Sequence, residues 1–156
     1  MRQSRSIENK FEKTSRYTLK QVQCTRCDKL ENIFTMQVNQ EAIEKLKAFP
    51  EDQPVFMLNY LNYKELVSET GKTGQETYVD YMKAAAPFFE RIDAEIIFKG
   101  KPVGIVLGPS EEPLWDEVLI VKYATKYEFF KLTQNKEYPL HIRASALSDS
   151  RLIFCE

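Results

Sequence analysis

The chain has 156 residues, a formal net charge of −1, 29% charged residues and 43% hydrophobic residues. This length suits one domain with or without an extension, and the composition excludes collagen, a coiled coil and wholesale disorder. The longest apolar runs fall far short of the ~20 residues of a membrane-spanning helix. The N-terminal segment also lacks the apolar stretch of a secretory signal, so we expect a cytoplasmic protein.

The net charge conceals an asymmetry between two parts of the chain. Residues 1–35 hold eight basic and four acidic side chains, a charge of +4, whereas residues 36–156 hold 14 basic and 19 acidic ones, a charge of −5. The basic residues are spread singly among polar residues, which favours a solvated, poorly ordered extension over a nucleic-acid contact. We therefore predict an extension over 1–35 and a folded domain over 36–156, with Met36 as a hypothetical native start.

Regular patterns begin at Asn39, which can cap a short helix that Pro50 ends. The apolar run over 54–61 then predicts a buried strand. After a polar loop, apolar residues at three- and four-residue spacing over 76–92 predict an amphipathic helix with a kink at Pro87.

The second half of the chain alternates strands and helices. Strands are predicted over 94–98 and 103–107, as a hairpin or one sharply bent strand, and over 117–123. Thr125 and Glu128 form a capping-box pattern that opens a helix. A further helix over 138–147 and a closing strand over 151–155 complete the pattern.

This order of elements predicts an α+β fold, a ferredoxin-like βαββαβ sandwich with its helices on one face of an antiparallel sheet. Strands 55–58 and 118–121 are apolar on both sides, so the uncovered face must be buried as well. A homodimer that pairs the two sheet faces is the simplest solution.

Four segments resemble a known family: residues 54–59, 81–88, 115–123 and 143–153, which read PVFMLN, YMKAAAPF, WDEVLIVKY and RASALSDSRLI. Together they are similar to a bacterial domain family of unknown function in the dimeric α/β-barrel superfamily, over about 36–156. The resemblance implies a ferredoxin-like monomer that dimerises through its sheet. Relatives in the superfamily include cofactor-free monooxygenases and isomerases, which commonly use a cavity between sheet and helices. The resemblance therefore implies a fold for this chain but no particular reaction.

His141 and Arg143 are the candidate catalytic residues. His141 is the single histidine, so any imidazole acid–base step must use it, although an exposed helix histidine is the common alternative. Members of the family often carry a histidine directly before the arginine, a position that Ile142 occupies here. Arg143 at a cleft would bind a carboxylate bidentately, and its alternative is an ion pair with an acid such as Asp149 or Glu137.

Four further residues are candidates for substrate binding. Asn59 lies within an apolar strand, where an amide is costly unless it is hydrogen-bonded, so it holds either a substrate or a neighbouring protein group. Tyr78, Tyr81 and Trp115 can line an aromatic pocket, and their alternative is packing in the core or at the dimer interface.

We expect no metal and no cofactor. Cys24 and Cys27 form a CxxC pair without a second pair or a nearby histidine, which favours coincidence over a zinc site. An acidic cluster around a turn is more typical of a solvated surface than of a metal site; it comprises Glu111, Glu112, Asp116 and Glu117.

The sequence leaves two functions open. The first is a small-molecule-binding homodimer, with His141 as acid–base and Arg143 as anchor if it is a cofactor-independent enzyme of monooxygenase or isomerase type. The alternative is a non-catalytic binding or dimeric interaction module. In both cases we expect the partner to be a second copy of the chain, with no nucleic acid and no membrane.

Overall fold

The computed structural model describes residues 38–109 and 111–156. The extension predicted over 1–35, with Cys24 and Cys27, lies outside the described residues. In chain order the helices and strands are α1 (Gln40–Ala48), β1 (Val55–Tyr63), α2 (Gly74–Phe89), β2 (Ala94–Gly100), β3 (Glu117–Tyr123), α3 (Lys126–Thr133), α4 (Leu140–Ala146) and β4 (Leu147–Cys155). Within these ranges no helix is long and apolar enough to cross a membrane.

The four strands form one antiparallel sheet in the order β2-β3-β1-β4. β1 pairs with both β3 and β4, and β2 pairs with β3 at the other edge. The chain therefore crosses from β1 to β2 over β3 through α2, and from β3 to β4 over β1 through α3 and α4. These two split βαβ units are the connectivity of the ferredoxin-like fold, so the predicted α+β class is confirmed.

Alternation along the strands gives the sheet two distinct faces. The odd-numbered residues of β1 from Val55 to Leu61 are buried beneath the helices, and the residues between them are half-buried. We call the covered side the inner face and the other side the outer face. The outer face carries an apolar set from all four strands: Phe56, Leu58, Tyr60, Phe98, Val118, Ile120 and Ile153.

The helix α1 begins as predicted, because the Asn39 side chain accepts a hydrogen bond from the backbone N–H of Ala42 at 3.1 Å. Its other end is held by Lys126, a buried lysine. The Lys126 Nζ atom donates to the backbone oxygens of Lys47 and Phe49, both at 2.6 Å. A cation at the exposed carbonyls of a helix C-terminus is favourable, and here it ties α1 to the start of α3.

The helix α2 begins at Gly74, two residues before the predicted start. Thr73 and Glu76 form a capping box, in which the Thr73 hydroxyl accepts from the Glu76 N–H and the Glu76 carboxylate accepts from the Thr73 N–H. The Thr-x-x-Glu spacing at residues 73–76 is the sequence pattern typical of this cap. Pro87 lies in the last turn of α2, and its kink stays a prediction.

Two local predictions are wrong. Residues 103–107 form no strand, because the chain leaves the sheet at the edge strand β2, where no described strand pairs with this segment. Thr125 precedes α3 without a side-chain cap, since the Glu128 carboxylate instead accepts from the Asp93 N–H at 3.2 Å and from Lys131 Nζ at 2.6 Å.

Three backbone segments meet at Gly74. Its N–H donates to the Lys64 oxygen at 2.8 Å, and the Lys64 N–H donates to the Ala146 oxygen at 3.0 Å. A Cβ atom at Gly74 would lie 2.3 Å from the Ala146 oxygen and 2.4 Å from the Lys64 nitrogen, which is closer than atoms can pack. Only glycine therefore allows the end of β1, the start of α2 and the end of α4 to meet.

We predict that Gly74→Ala destabilises the protein by about 1–3 kcal/mol, the usual cost of forcing extra volume into a packed site. Urea unfolding followed by circular dichroism measures this change. The matched control is Gly104→Ala, because a Cβ atom there has nothing within 4 Å. Equal stabilities of the two variants would contradict the close contact at Gly74.

Candidate functional site

A cavity of about 820 Å³ lies between the inner face of the sheet and the helices. Its floor is formed by side chains of β1 and β3, including Met57 and Val121, and its walls come from all four helices and from β4. Small-molecule sites commonly occupy about 300–1,000 Å³ and are mostly apolar, with few polar groups. The size and lining of this cavity agree with that description.

Four buried tyrosines line one side of the cavity: Tyr78, Tyr81, Tyr123 and Tyr138. Tyr78 and Tyr81 are three residues apart on α2 and so share a helix face, with ring centroids 5.2 Å apart. The hydroxyls of Tyr81 and Tyr138 hydrogen-bond each other. This bond joins α2 to the segment that leads into α4.

Burial raises the pKa of each of these four phenols above the ordinary tyrosine value. The pKa of Tyr138 rises to about 12, and the pKa values of Tyr78, Tyr81 and Tyr123 are also raised, chiefly because their charged forms would lose water. The four phenols are therefore neutral at physiological pH, and each can donate as well as accept a hydrogen bond.

Arg143 on α4 lines the same cavity and is only 9% exposed. Its guanidinium lies in hydrogen-bonding reach of the Tyr78 hydroxyl, and its charge opposes the effect of burial on the pKa of Tyr78. A guanidinium carries five N–H donors in a planar array that fits a carboxylate. Arg143 thus supplies a buried, cationic and donor-rich group to the cavity.

Asn59 points from the centre of β1 into the cavity and is buried. Its side-chain nitrogen donates to the Met57 oxygen at 3.2 Å. In the sheet register Asn59 lies opposite Leu119 on β3 and Leu152 on β4. Its amide is therefore a single polar group on an otherwise apolar stretch of the floor.

The structure brings four of the six predicted site residues together, namely Asn59, Tyr78, Tyr81 and Arg143. Trp115 does not join them. It lies by the outer face, with its ring centroid 5.7 Å from that of Tyr60 and 5.6 Å from the guanidinium carbon of Arg151.

His141 is also placed away from the cavity. It is exposed, and it is absent from the described residues that line the cavity. Two residues along an α-helix correspond to a rotation of about 200°, so the buried side chain of Arg143 and the imidazole of His141 lie on different sides of α4. Asp149, an acid that the sequence offered as a partner for Arg143, is ion-paired with Arg151.

Tyr123 and Tyr138 are site residues that the sequence analysis did not select. Tyr123 ends β3, and Tyr138 stands beside Pro139 before α4. No spacing in the sequence connects them, because the topology brings them together from different parts of the chain. The sequence indicates an inward position only for Tyr123, which continues the alternation of inner-facing residues along β3.

No group of three or more His, Cys, Asp or Glu side chains in residues 38–109 and 111–156 could hold a metal ion. Two carboxylates of the predicted acidic cluster interact with other protein groups and are not merely solvated. The Asp116 carboxylate accepts from the Tyr63 N–H at 2.7 Å, and the Glu117 carboxylate lies 3.3 Å from Lys99 Nζ.

Comparison with known proteins identifies related structures. The chain is similar to RPA0582, a protein of unknown function from Rhodopseudomonas palustris, with 26% identity, a TM-score of 0.65 and coverage of 76% of this chain and 93% of that chain. The methylated form of RPA0582 gives 26% identity, a TM-score of 0.67 and coverage of 77% and 92%.

A more distant likeness is to a dimeric protein of unknown function and ferredoxin-like fold from Bacteroides fragilis. It has 13% identity and a TM-score of 0.45 over 69% of this chain and 99% of that chain, which is too remote to support an argument. No protein-family model and no curated protein matches the chain. The similarity to RPA0582 therefore supports the fold, and it assigns no function to this protein.

We predict that tyrosine burial makes stability fall at high pH. The unfolded chain loses the Tyr138 proton near pH 10, whereas the folded chain keeps it up to about 12. The stability gained by burying the neutral phenol is therefore complete below pH 10 and is lost between these two values. Tyr138→Phe should reduce the slope of unfolding free energy against pH in this window by up to about 1.4 kcal/mol per pH unit. Urea unfolding at several pH values measures the slope, and a slope equal to that of the wild type would contradict the prediction.

Proposed function

We propose that this protein binds a small organic molecule in the cavity between sheet and helices. The observation that carries the proposal is a buried arginine, Arg143, within a cavity of about 820 Å³ whose other lining is mostly apolar or phenolic. A guanidinium that lines an apolar cavity offers several hydrogen-bond donors to a bound molecule. A molecule with an apolar body and an acceptor group would fill the space and accept hydrogen bonds from these donors.

Arg143 anchors the acceptor group in this proposal, while Tyr78 and Tyr81 donate hydrogen bonds and Asn59 holds a polar atom of the ligand. If the protein is an enzyme of cofactor-independent monooxygenase or isomerase type, these donors would stabilise negative charge that develops on the substrate. The exposed position of His141 favours binding and positioning over acid–base catalysis by an imidazole. The proposed function is therefore ligand binding, with catalysis as an extension of it.

The probe for this proposal is 1-anilinonaphthalene-8-sulfonate, which carries one negative charge on an apolar body and fluoresces when it is bound. We expect saturable binding to the full chain. Arg143→Met should weaken it about tenfold or more, because a charge-assisted hydrogen bond is lost.

The matched control is Arg91→Met, which removes the same charge from an exposed position after α2 and should leave the dissociation constant unchanged. Circular dichroism establishes that both variants are folded. An equal affinity of Arg143→Met and Arg91→Met for the probe would contradict the proposed site.

We also propose that two copies of the chain associate through their outer sheet faces. The proposal is supported by the apolar outer face, on which Phe98 and Ile153 are 51% and 45% exposed. Leu58 lies opposite Ile153 in the register and Ile120 lies opposite Phe98. A continuous apolar patch of this kind is typical of an interface, and the helices cannot cover it because they lie on the inner face.

We expect the wild type to be a dimer in size-exclusion chromatography with light scattering. Ile153→Asp should be a monomer, because its carboxylate would be buried between the two sheets. The control is Val79→Asp, at a position on α2 that is 48% exposed and outside the proposed interface, and this variant should remain a dimer. A monomeric wild type, or a dimeric Ile153→Asp variant, would contradict this arrangement.

A further inference from the structure

The connection between β2 and β3 is far longer than the two strands require. Gly100, the last residue of β2, lies opposite Val118, close to the start of β3. A loop of about two to five residues closes such a hairpin, whereas residues 101–116 intervene here, with no helix or strand in their described parts, 101–109 and 111–116. Irregular connections longer than about 12–15 residues are uncommon and usually functional. The pairing of β2 with β3 therefore does not explain this segment.

The first half of the connection is apolar and exposed. Residues 103–107 read VGIVL, and we call them the apolar arm. Val103, Val106 and Leu107 are 92%, 102% and 96% exposed. The backbone of the arm makes no hydrogen bond to any other described residue. Aliphatic and β-branched side chains of this kind are typical of buried strands, so the composition of the arm predicts a burial that one copy of the chain does not supply.

Both ends of the connection lie beside the outer face of the sheet. At its start, Phe98 of β2 belongs to that face and is 51% exposed. At its end, the Trp115 ring packs on Tyr60 of the outer face, with centroids 5.7 Å apart, and lies 5.6 Å from the guanidinium carbon of Arg151. The arm is therefore continuous with the surface through which we propose that two copies associate.

The outer face alone offers little area for a stable dimer. Of its seven apolar side chains, all except Phe98 and Ile153 are already half-buried within one copy. If about half of each side chain remains to be buried, the face contributes roughly 200–400 Å² per copy. A specific interface buries about 800 Å² on each partner. The three exposed side chains of the arm add roughly 200–350 Å², which is about half of the area that the face lacks.

We infer that the apolar arm packs against a second copy of the chain, so that each copy in the dimer contacts the other with its own arm. This inference rests on the proposed association through the outer faces, and it adds to that interface a segment outside the sheet. A two-fold axis makes the two arm contacts identical. The apolar side chains that are exposed in one copy are then buried in the assembled protein.

Sedimentation equilibrium of the full chain tests the inference through the dimer dissociation constant. Val106→Asp should raise this constant about a hundredfold or more, because each of the two arms loses an apolar contact and brings a carboxylate into the interface. The matched control is Val79→Asp, the same substitution at a position on α2 that is 48% exposed, and it should leave the constant unchanged. Circular dichroism establishes that both variants are folded. Equal dissociation constants for the two variants would overturn the inference.

Chemical labelling measures the burial of the arm directly. In Val106→Cys the new thiol should react with a maleimide at least tenfold more slowly than in the same variant made monomeric by Ile153→Asp. Peptide mass spectrometry separates this thiol from the three native cysteines. The thiol of Val79→Cys, the control, should react at one rate in both backgrounds. Equal rates in both backgrounds at position 106 as well would overturn the inference.

The inference and the proposed pairing of sheet faces fail in different ways. If the wild type is a dimer and Val106→Asp dimerises as tightly as Val79→Asp, the arm contact is wrong and the pairing of outer faces stands. If Val106→Asp dissociates the dimer and Ile153→Asp does not, the arm contact stands and the pairing of outer faces is wrong. A wild type that sedimentation equilibrium shows to be monomeric contradicts both.

Discussion

The contact at Gly74 is the constraint on which the site depends. A glycine without a Cβ atom lets the backbone of α2 approach the Ala146 oxygen and the Lys64 backbone. This junction sets the position of α2 relative to α4, and α2 carries Tyr78 and Tyr81 while α4 carries Arg143. The phenols and the guanidinium are therefore neighbours because three pieces of backbone meet a short distance away. The Tyr81–Tyr138 hydrogen bond fastens the same two parts of the chain at a second point.

The two faces of the sheet give the protein two different kinds of apolar surface. On the inner face the helices cover the strands but leave a cavity, and the polar groups in it are few and placed together. On the outer face apolar residues lie next to one another in the register, and none of the described helices α1 to α4 reaches them. We propose a small ligand for the first surface and a second copy of the chain for the second, since enclosed space suits a molecule and an open flat face suits another sheet.

Much of the fold could be predicted from the sequence because its signals are local. The bounds of β3 match the predicted strand over 117–123, and Asn39 caps α1 as expected. Residues 103–107 show the limit of such signals. They have the apolar composition of a strand, yet Val103 and Leu107 are 92% and 96% exposed, because a strand also needs a neighbouring edge, and composition does not contain that information.

The candidate site was harder to predict because it depends on the path of the chain beyond each element. Trp115 is odd-numbered like the inner-facing residues of β3, so a continued alternation would place its side chain on the inner face. The strand begins only at Glu117, and the alternation does not extend to Trp115. The Asp116 N–H donates to the Leu61 oxygen at 2.9 Å, which fixes the chain there and places Trp115 by the outer face. The tertiary structure likewise adds Tyr123 and Tyr138 to the site, from segments that are distant in sequence.

The most direct test of the central claim is the methyl NMR spectrum of the protein during a titration with 1-anilinonaphthalene-8-sulfonate. We expect the methyl resonances of inner-face residues, such as Leu119, Val121 and Leu152, to shift with a common saturation curve. Those of outer-face residues such as Leu58 and Ile120 should stay in place. Shifts confined to the outer-face methyls, or no shifts on either face, would contradict the account.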